Sequence, residues 1–543
     1  MNILFVLYGD LTSNSANPLA LYAREFAAQG HSCTVAIPDN LESIREHANP
    51  AFRPVLYSDA LNNPDSDFPD GRPADVVHAW TPRENVRRFV TSYMAQRPTP
   101  LVVYLEDHEF WISARAMGLD EVTMLHQTEQ SIVARLPGAL SHPFRYDRFI
   151  GMADVAVVIQ EKLNVMVPPW VNCETVMPGV DLDFFSPRAA DHVLRRRYGI
   201  AENERVIVYP GGVNGFTRPG IETLCRAVGL INRLGYPCKL LRTGPFALDF
   251  LDALPQEARD SIVDLGVVPR EDLPDLLALA DLFVQPGKID PFEDLRLPGK
   301  LPELMAMGRP VVTPNVNIAH LCRDGVNAVL THTGSAQEMA EKCIALFSDP
   351  QQAERMGMAG RQFAEKHFDI KSQAVRMAGA YKIACTNFDA SMAAAVWQSP
   401  VENDSVDLLL SRKLGLLADS FDSHMPGIAM PGMLRHHAQY IETKNARVNS
   451  LESVLSERDA QIANLSQSVV EGCAQIANLS QSVVESNAQI ATLELTVSER
   501  ELQVIDLLHE VSGLRRSASW LITSPLRWFA HQLKRWGNGS RRG

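Results

Sequence analysis

The sequence lacks several features that would assign the chain to common classes of protein. No run approaches the roughly eighteen apolar residues that a membrane-spanning helix needs, so we expect no transmembrane helix. The eight cysteines include no C-x-x-C pair and no regular spacing, which argues against structural disulfides and against a zinc site. We therefore expect a reduced, cytoplasmic environment, no bound metal and no cofactor.

The amino terminus also lacks the features of a signal peptide. Residues 1–8 are apolar, but no basic residue precedes them and Asp10 follows almost at once. We expect this segment to be the first buried strand of a domain. A chain of 543 residues exceeds one ordinary domain, so two or three units are expected, each with its own core.

Short apolar segments alternate with amphipathic helical segments in two successive series. The strand candidates of the first series are residues 3–8, 33–37, 76–79, 101–105 and 155–159. Those of the second series begin near residue 206 and continue at 239–242, 262–265, 282–285, 311–313 and 329–331. This α/β pattern predicts two doubly wound Rossmann-like domains, residues 1–195 and 196–385. Ligands bind at the carboxyl ends of the strands in such sheets, so a cleft between the domains is the expected site.

The most informative segment runs from residue 280 to residue 312. A buried strand is followed by a loop rich in glycine and proline, which carries Gly299 and Lys300 and opens a short helix with Glu303 in its first turn. Backbone N–H groups, a helix amino terminus and an ammonium together suit a diphosphate. Glu303 can then accept hydrogen bonds from ribose hydroxyls. The segment therefore predicts a nucleotide site.

With three further segments, this motif resembles the donor site of family 4 glycosyltransferases, in the branch with a Pro-Gly/Ser-Lys element. Residues 178–187, 209–220 and 240–245 resemble other landmarks of that family and occur in the expected order over roughly 380 residues. The resemblance implies the two-domain arrangement called GT-B. It also implies transfer of a sugar from a nucleotide sugar, with retention of configuration and without a metal ion.

The resemblance assigns a set of residues to the donor nucleotide. They are Gly211, Gly212, Arg218, Gly244, Pro245, Gly299, Lys300, Leu301 and Glu303. Lys300 and Arg218 are expected to neutralise the diphosphate, although Lys300 can also be read as a surface lysine. Glu303 can alternatively serve only to complement the helix dipole.

Two positions depart from the family pattern. Gly212 stands where relatives usually carry an arginine, which leaves one cation fewer for the diphosphate. Leu295 stands where most relatives carry the glutamate that contacts the donor sugar, eight residues before Glu303. Glu293 or Asp294 is the expected substitute.

The first domain is expected to supply the acceptor side of the cleft. Gly9 lies in the loop after the first strand, where backbone amides can approach the phosphates. Glu106, Asp107 and His108 follow a buried strand at the cleft edge. Many relatives have a histidine where Glu106 aligns, so these three residues are the candidates for orienting the acceptor hydroxyl.

The last third of the chain has a different character. Residues 386–440 contain several prolines and predict a linker or a loosely packed helical segment. Within 441–515, a 14-residue unit repeats at 460–473, 474–487 and 488–501. Each unit equals two heptads. When Ile462 is taken as heptad position a, every a position from 448 to 511 is apolar: Val448, Leu455, Ile462, Val469, Ile476, Val483, Ile490, Val497, Val504 and Val511. This pattern predicts a coiled coil that makes the protein a dimer, although a single helix folded onto the domains is an alternative.

Residues 516–543 form a basic, aromatic tail. Seven lysines and arginines follow Glu510 without an acidic residue, whereas the whole chain has a net charge of −13. Tryptophan, phenylalanine and arginine in this mixture are typical of a segment that lies on an anionic membrane surface. The alternative is packing on the coiled coil or on a partner protein. The acidic body argues against nucleic acid.

The predicted function is therefore that of a retaining glycosyltransferase. We expect it to act on a glycan or lipid-linked glycan in bacterial surface polysaccharide synthesis, at the inner face of the cytoplasmic membrane. Two alternatives remain open: a sugar-nucleotide epimerase, and a catalytically inactive sugar-binding scaffold that the coiled coil organises.

Overall fold

A computed structural model describes residues 1–64, 68–245, 249–398 and 406–424, together with isolated residues between 434 and 506. The predicted coiled coil, 441–515, and the predicted tail, 516–543, lie outside the described residues except at those isolated positions. In the described part of the chain, no helix combines the length and the apolar character that crossing a bilayer would require.

The first domain is built on a seven-stranded parallel sheet with the strand order β3-β2-β1-β4-β5-β6-β7. Its strands are β1 (Asn2–Leu7), β2 (Ser32–Ile37), β3 (Arg53–Leu56), β4 (Val76–Trp80), β5 (Leu101–Leu105), β6 (Val155–Val158) and β7 (Asn172–Thr175). All residues of β1, β4, β5 and β6 are buried, because helices cover both faces of the central strands.

The helices of the first domain connect these strands on both faces of the sheet. They are α1 (Ala16–Ala28), α2 (Tyr57–Asn62), α3 (Glu84–Gln96), α4 (Glu109–Ala116), α5 (Glu121–Leu125), α6 (Glu129–Val133) and α7 (Tyr146–Met152). Two 3-10 helices, Leu41–Glu46 and Glu161–Met166, follow β2 and β6. The chain winds outward from β1 in both directions, which is the doubly wound topology.

The second domain contains a six-stranded parallel sheet with the order β10-β9-β8-β11-β12-β13. Its strands are β8 (Arg205–Pro210), β9 (Cys238–Thr243), β10 (Ile262–Asp264), β11 (Leu282–Val284), β12 (Val311–Pro314) and β13 (Val329–Thr331). The sequence therefore predicted the architecture correctly: there are two α/β domains, each with a parallel sheet.

The helices of the second domain are shorter around the predicted site than elsewhere. They are α8 (His192–Arg197), α9 (Arg218–Arg233), α10 (Asp249–Asp252), α11 (Gln256–Arg259), α12 (Leu273–Ala278), α13 (Pro291–Asp294), α14 (Leu301–Ala306), α15 (Ala336–Ser348) and α16 (Pro350–His367). Two 3-10 helices, Arg270–Asp272 and Asn317–Leu321, lie between them. Local sequence sets the starts of the long helices. Ser335 caps α15, and Asp349 caps α16 ahead of a proline at its first position.

The chain then returns to the first domain. Helix α17 (Ile370–Asn387) packs against α1, and its Tyr381 hydroxyl lies 2.6 Å from Nδ1 of the buried His78 in β4. The predicted linker, 386–440, contains two helices in its described part, α18 (Ala390–Trp397) and α19 (Val406–His424). Helix α19 packs on α7, because its apolar positions Leu410 and Leu414 are buried there.

Candidate active site

Two glycine-containing loops lie side by side at the carboxyl end of the second sheet. Gly211 and Gly212 follow β8, and Gly244 and Pro245 follow β9, the strand next to it. Gly244 has a φ of +86°, and a Cβ atom there would lie 2.6 Å from the backbone N of Gly212. The two loops can approach this closely only because neither of these positions carries a side chain.

The predicted lysine meets the first of these loops. Lys300 precedes α14, and its Nζ donates a hydrogen bond to the Tyr209 hydroxyl at 2.7 Å. The same ammonium lies 4.1 Å from the centre of the Tyr209 ring. A Cβ atom on Gly211 would come within 2.4 Å of Nζ, so the lysine lies directly against the glycine backbone. Tyr209 thus fixes a cation at the loop, which is an arrangement suited to an anionic ligand.

Glu303 lies in the first turn of α14, as predicted, but it has a partner that the sequence did not indicate. Its carboxylate accepts a hydrogen bond from the Arg270 guanidinium at 2.9 Å. Removal from water raises the pKa of Glu303, and the charges of Arg270 and Lys300 oppose that rise. The neighbouring Leu301 belongs to the hydrophobic core, so only its backbone is available to a ligand.

Arg218 is engaged with carboxylates. It begins α9, and its guanidinium forms ion pairs with Glu222 at 2.8 Å and with Asp249 at 2.7 Å. The sequence predicted neither partner. The two carboxylates neutralise the charge that was expected to face the phosphates, so a role of Arg218 at the diphosphate stays a prediction.

The loop where the family carries its sugar-contacting glutamate is folded into α13. Asp290 caps this short helix by accepting a hydrogen bond from the backbone N of Glu293. The Glu293 side chain is mostly buried, which raises its pKa, and the guanidinium of Arg296, 3.7 Å away, opposes that rise. Asp294 is engaged elsewhere, because Lys162 of the first domain donates to its carboxylate at 2.6 Å. Both candidates for the place of Leu295 thus have a cationic neighbour, and a role of either one at the donor sugar stays a prediction.

On the first domain, Glu106 follows β5 and is held by two donors. The Ser15 hydroxyl donates to one carboxylate oxygen at 2.6 Å, and the Trp80 indole N–H donates to the other at 2.9 Å. Partial burial raises the pKa of Glu106 to about 7, although both hydrogen bonds act in the opposite direction. This carboxyl group can consequently exchange a proton near neutral pH.

The other residues predicted on this side have different environments. Asp107 lies 4.0 Å from Arg296 of the second domain. His108 caps α4 and stacks on Trp111, with 4.2 Å between ring centres. Desolvation lowers the pKa of His108 to about 4, so its imidazole is neutral at pH 7. Gly9 lies in the loop after β1, where a Cβ atom would come within 3.2 Å of the Ser13 side chain.

The two sets of residues face each other across a seam between the domains. Besides the contacts of Asp294 and Asp107, the guanidinium of Arg115 in α4 lies 3.8 Å from the centre of the Phe292 ring in α13. The ends of β5 and β6 on one domain thus meet the loop after β11 on the other. This is the arrangement that the predicted cleft required.

Sequence reasoning missed several residues that hold the predicted ones in place. Tyr209 occupies the penultimate position of β8, so its place beside the loop carried a usable signal. Trp80 ends β4, the strand paired with β5, and carried the same kind of signal. Arg270 and Ser15 gave no such signal, because they reach Glu303 and Glu106 from segments far away in the sequence. Lys162 was missed as well, because it belongs to the first domain whereas its partner Asp294 belongs to the second.

The fold and the cleft define a two-domain protein of the GT-B type. Comparisons with known proteins agree. Residues 204–349, which lie in the second domain, match the family described as Glycosyl transferases group 1. The second domain is therefore similar to that family, and it lies next to a first domain of the same α/β class.

Two curated relatives illustrate the similarity. The chain is 25% identical over 248 residues to the D-inositol 3-phosphate glycosyltransferase of Thermobispora bispora, which covers 43% of this chain and 55% of that protein. It is 29% identical over 220 residues to the GDP-mannose-dependent alpha-(1-6)-phosphatidylinositol monomannoside mannosyltransferase of Mycobacterium tuberculosis, which covers 39% of this chain and 56% of that protein. The chain thus spans about half the length of the curated relatives it matches.

Solved structures extend the likeness to both domains. HepE of Anabaena, in complex with UDP-glucose, is similar with a TM-score of 0.54 and 16% identity, over 70% of this chain and 99% of that chain. A glycosyltransferase of Rickettsia africae is similar with a TM-score of 0.52 and 13% identity, over 71% of this chain and 99% of that one. At these identities the likeness establishes the fold.

Proposed function

We propose that the chain is a retaining glycosyltransferase that moves a sugar from a nucleotide sugar to a glycan or lipid-linked glycan, without a metal ion. The Lys300 ammonium, which lies against Gly211 at the end of β8, carries this proposal. A fixed cation beside a glycine-rich backbone suits a diphosphate, which is the leaving group of a nucleotide sugar. The family match over residues 204–349 includes this region.

On the donor side, Lys300 and the backbone of residues 211–212 stabilise the charge that grows on the diphosphate as the bond to the sugar breaks. Glu303 exchanges its contact with Arg270 for the ribose hydroxyls. Glu293 takes the place of the family glutamate at the donor sugar. Because these groups are positioned before the reaction, they lower its barrier without a side-chain nucleophile.

On the acceptor side, Glu106 and Asp107 orient the attacking hydroxyl. The Glu106 carboxyl is held by Ser15 and Trp80, so its position does not depend on substrate. The hydroxyl oxygen bonds to the sugar carbon on the face that the diphosphate leaves, which retains the configuration. The hydroxyl proton passes to the departing phosphate.

The names of similar proteins support the substrate classes. The two curated relatives are named for an inositol phosphate and for a phosphatidylinositol mannoside, and HepE is in complex with UDP-glucose. By extension, we propose a nucleotide sugar as donor here and an acceptor of bacterial surface polysaccharide synthesis, with the reaction at the inner face of the cytoplasmic membrane.

The direct test is release of nucleoside diphosphate from a panel of nucleotide sugars by the full-length protein. We expect turnover with at least one donor, and its loss in the double variant Lys300→Ala, Glu303→Ala. The exposed Lys366 provides the matched control, since Lys366→Ala removes an ammonium from α16 without touching the loop. Absence of nucleotide binding in the wild type would refute the proposal.

A catalytically inactive scaffold is the second candidate, because Leu295 replaces the sugar-contacting glutamate. Calorimetry separates the two. Nucleotide binding without turnover on any donor would favour the scaffold, whereas loss of turnover in Glu293→Gln with unchanged nucleotide affinity would favour transfer.

Self-association and membrane contact complete the proposal. The heptads within 441–515 form a parallel dimer, and the tail 516–543 binds an anionic bilayer. Analytical ultracentrifugation of the chain without residues 448–514 should give a monomer. Vesicles that contain phosphatidylglycerol should retain the full chain, and vesicles of phosphatidylcholine alone should not. If the variant without 448–514 remained a dimer, dimerisation through the heptads would be refuted.

A further inference from the structure

A cavity of about 290 Å³ lies where the two domains meet, next to the proposed reaction site. One wall is formed by α4 and the segment that follows it, and the other wall is formed by the start of α13. Its lining includes Trp111, Arg115, Leu119, Asp290 and Phe292. Its volume is close to the lower end of the range for small-molecule sites.

Aromatic rings form the apolar part of this cavity. Trp111 and Arg115 lie one turn apart on the same face of α4, which directs both toward the second domain. The Trp111 and Phe292 rings are 6.3 Å apart and tilted by 44°, so they do not close the space by stacking. Arg115 covers Phe292 and remains 3.9 Å from the Asp290 carboxylate.

The charged groups restrict what the cavity can hold. Its lining residues include three acids, Asp120, Glu121 and Asp290, and one base, Arg115. Asp120 and Asp290 each use one carboxylate oxygen to accept a backbone N–H at a helix start, and their other oxygens remain for a ligand. An excess of carboxylates repels phosphate groups and other anions. It also disfavours an acyl chain, since charged groups around an apolar tail would lose water without gaining a partner. A neutral ligand rich in hydroxyl groups satisfies both the carboxylates and the guanidinium.

The position of the cavity relates it to the reaction. Phe292 directly precedes Glu293, the proposed donor-sugar contact. Trp111 stacks on His108, which follows the acceptor-side residues Glu106 and Asp107. A molecule in the cavity would therefore lie near the residues proposed to orient the acceptor hydroxyl and would contact both domains.

We propose that this cavity binds a neutral sugar unit of the acceptor glycan, adjacent to the unit that receives the transferred sugar. The apolar face of the sugar packs on Trp111, and its hydroxyl groups donate to Glu121 and Asp290. The inference rests on the proposed function and specifies its acceptor: a glycan of at least two units, uncharged next to the growing end.

The test uses the full-length protein on an array of neutral and acidic oligosaccharides, with UDP or GDP present to occupy the donor site. We expect retention of at least one neutral oligosaccharide. Trp111→Ala should weaken the affinity for that oligosaccharide about tenfold, and Trp111→Phe should weaken it less. Glu121→Gln, on the exposed rim, should weaken it without disturbing the packing of α4. Tyr236→Ala removes a partly exposed ring just before β9, at the amino end of that strand, and should have no effect.

The outcomes are separable from those of the proposed function. Calorimetry with UDP and GDP should give the same affinity for wild type and Trp111→Ala, which also verifies that the variant is folded. A wild type that binds nucleotide but retains no neutral oligosaccharide overturns the inference alone. Equal retention by wild type, Trp111→Ala and Glu121→Gln overturns it too, as does retention of acidic oligosaccharides only.

Discussion

The contact between Lys300 and Gly211 is the part of the site that tolerates least change. Gly211 has a φ of +145°, and a Cβ atom would meet the Lys300 ammonium at 2.4 Å. We expect Gly211→Ala to displace the lysine and lower nucleotide affinity by about tenfold or more, since both the backbone and the contact become strained. Isothermal titration with UDP and GDP measures this.

The same loop offers a matched control. Gly215 has open space around the position of a Cβ atom, so Gly215→Ala should leave nucleotide affinity within about twofold of wild type. Equal affinities for Gly211→Ala and wild type would mean that the ammonium does not contact the ligand.

Glu106 makes the stability of the protein depend on pH. Its pKa is raised from 4.5 to about 7 in the folded protein, so the folded state binds the proton more tightly than the unfolded state. The contribution of Glu106 to stability is therefore present below about pH 4.5 and is lost as pH rises toward 7. The loss is at most about 3 kcal/mol, because the group keeps some exposure to water.

Replacing Glu106 by glutamine removes this titration. We expect Glu106→Gln to flatten the change in urea midpoint between pH 5 and pH 8 and to be more stable than wild type at pH 8. Glu202→Gln, an exposed position, should keep the wild-type profile. A profile of Glu106→Gln that still falls with pH as in wild type would assign the effect to other groups.

Individual site residues differ in how far the sequence could predict them. The glycine loops were predictable from the strand pattern, since each lies at the carboxyl end of a strand and such ends lie together at one end of a parallel sheet. Lys300 lies well after β11, at the start of α14, and was predicted from its motif of loop and helix start. The pairing of Glu303 with Arg270 and of Arg218 with Asp249 was not, because no local pattern records which charged side chain from another segment will lie nearby.

Among the strands of the first domain, burial separates those that were predicted from those that were missed. The central strands are apolar and buried, and the predicted segments 3–8, 101–105 and 155–159 agree closely with β1, β5 and β6. Strands β3 and β7 were missed. They are four residues long, and every residue of β7 is partly exposed, so neither carries an apolar run.

The packing of α14, which follows Lys300, gives a second kind of prediction. Gly308 follows α14, and a Cβ atom on Gly357 of α16 would lie 2.2 Å from the Gly308 carbonyl oxygen. Arg361 of α16 also donates to the carbonyl of Ala306 at 2.9 Å. We expect Gly357→Ala to force α16 away from α14 and to cost roughly 1–3 kcal/mol of stability, measured by urea denaturation.

A helical glycine in open space should behave in the opposite way. Gly379 lies within α17 and has no atom near the position of a Cβ, so Gly379→Ala should stabilise the protein by about 0.5–1 kcal/mol. If both substitutions raised the urea midpoint, the close approach of α16 to the end of α14 would not constrain either helix.

The relation between the domains was the least predictable feature. The sequence indicated two domains with facing strand ends, but not that α17 returns to the first domain. That return depends on contacts such as Tyr381 with His78, which are 303 positions apart. Periodicity identifies the buried face of a helix, yet it carries no information about which of two domains covers that face.

The seam between the domains should control how readily the cleft opens. Lys162 and Asp294 are each about one-third exposed and 2.6 Å apart, so their ion pair is worth at most about 1 kcal/mol. At a seam, however, that energy acts directly on the equilibrium between open and closed forms and changes it about fivefold. We expect Lys162→Ala to increase the radius of gyration in small-angle X-ray scattering, and to raise the KM for the donor more than it lowers kcat.

Exchanging the two charges distinguishes an ion pair from general damage to the seam. Lys162→Asp and Asp294→Lys should each open the protein, and the double variant should restore part of the closed form. The restoration is incomplete because Asp294 also accepts a hydrogen bond from the Asn317 backbone, which a lysine cannot do. Lys371→Ala breaks a more exposed pair with Asp183 and serves as the control, with no change in scattering expected. If the double variant were as open as either single variant, attraction between these two side chains would not be what holds the domains together.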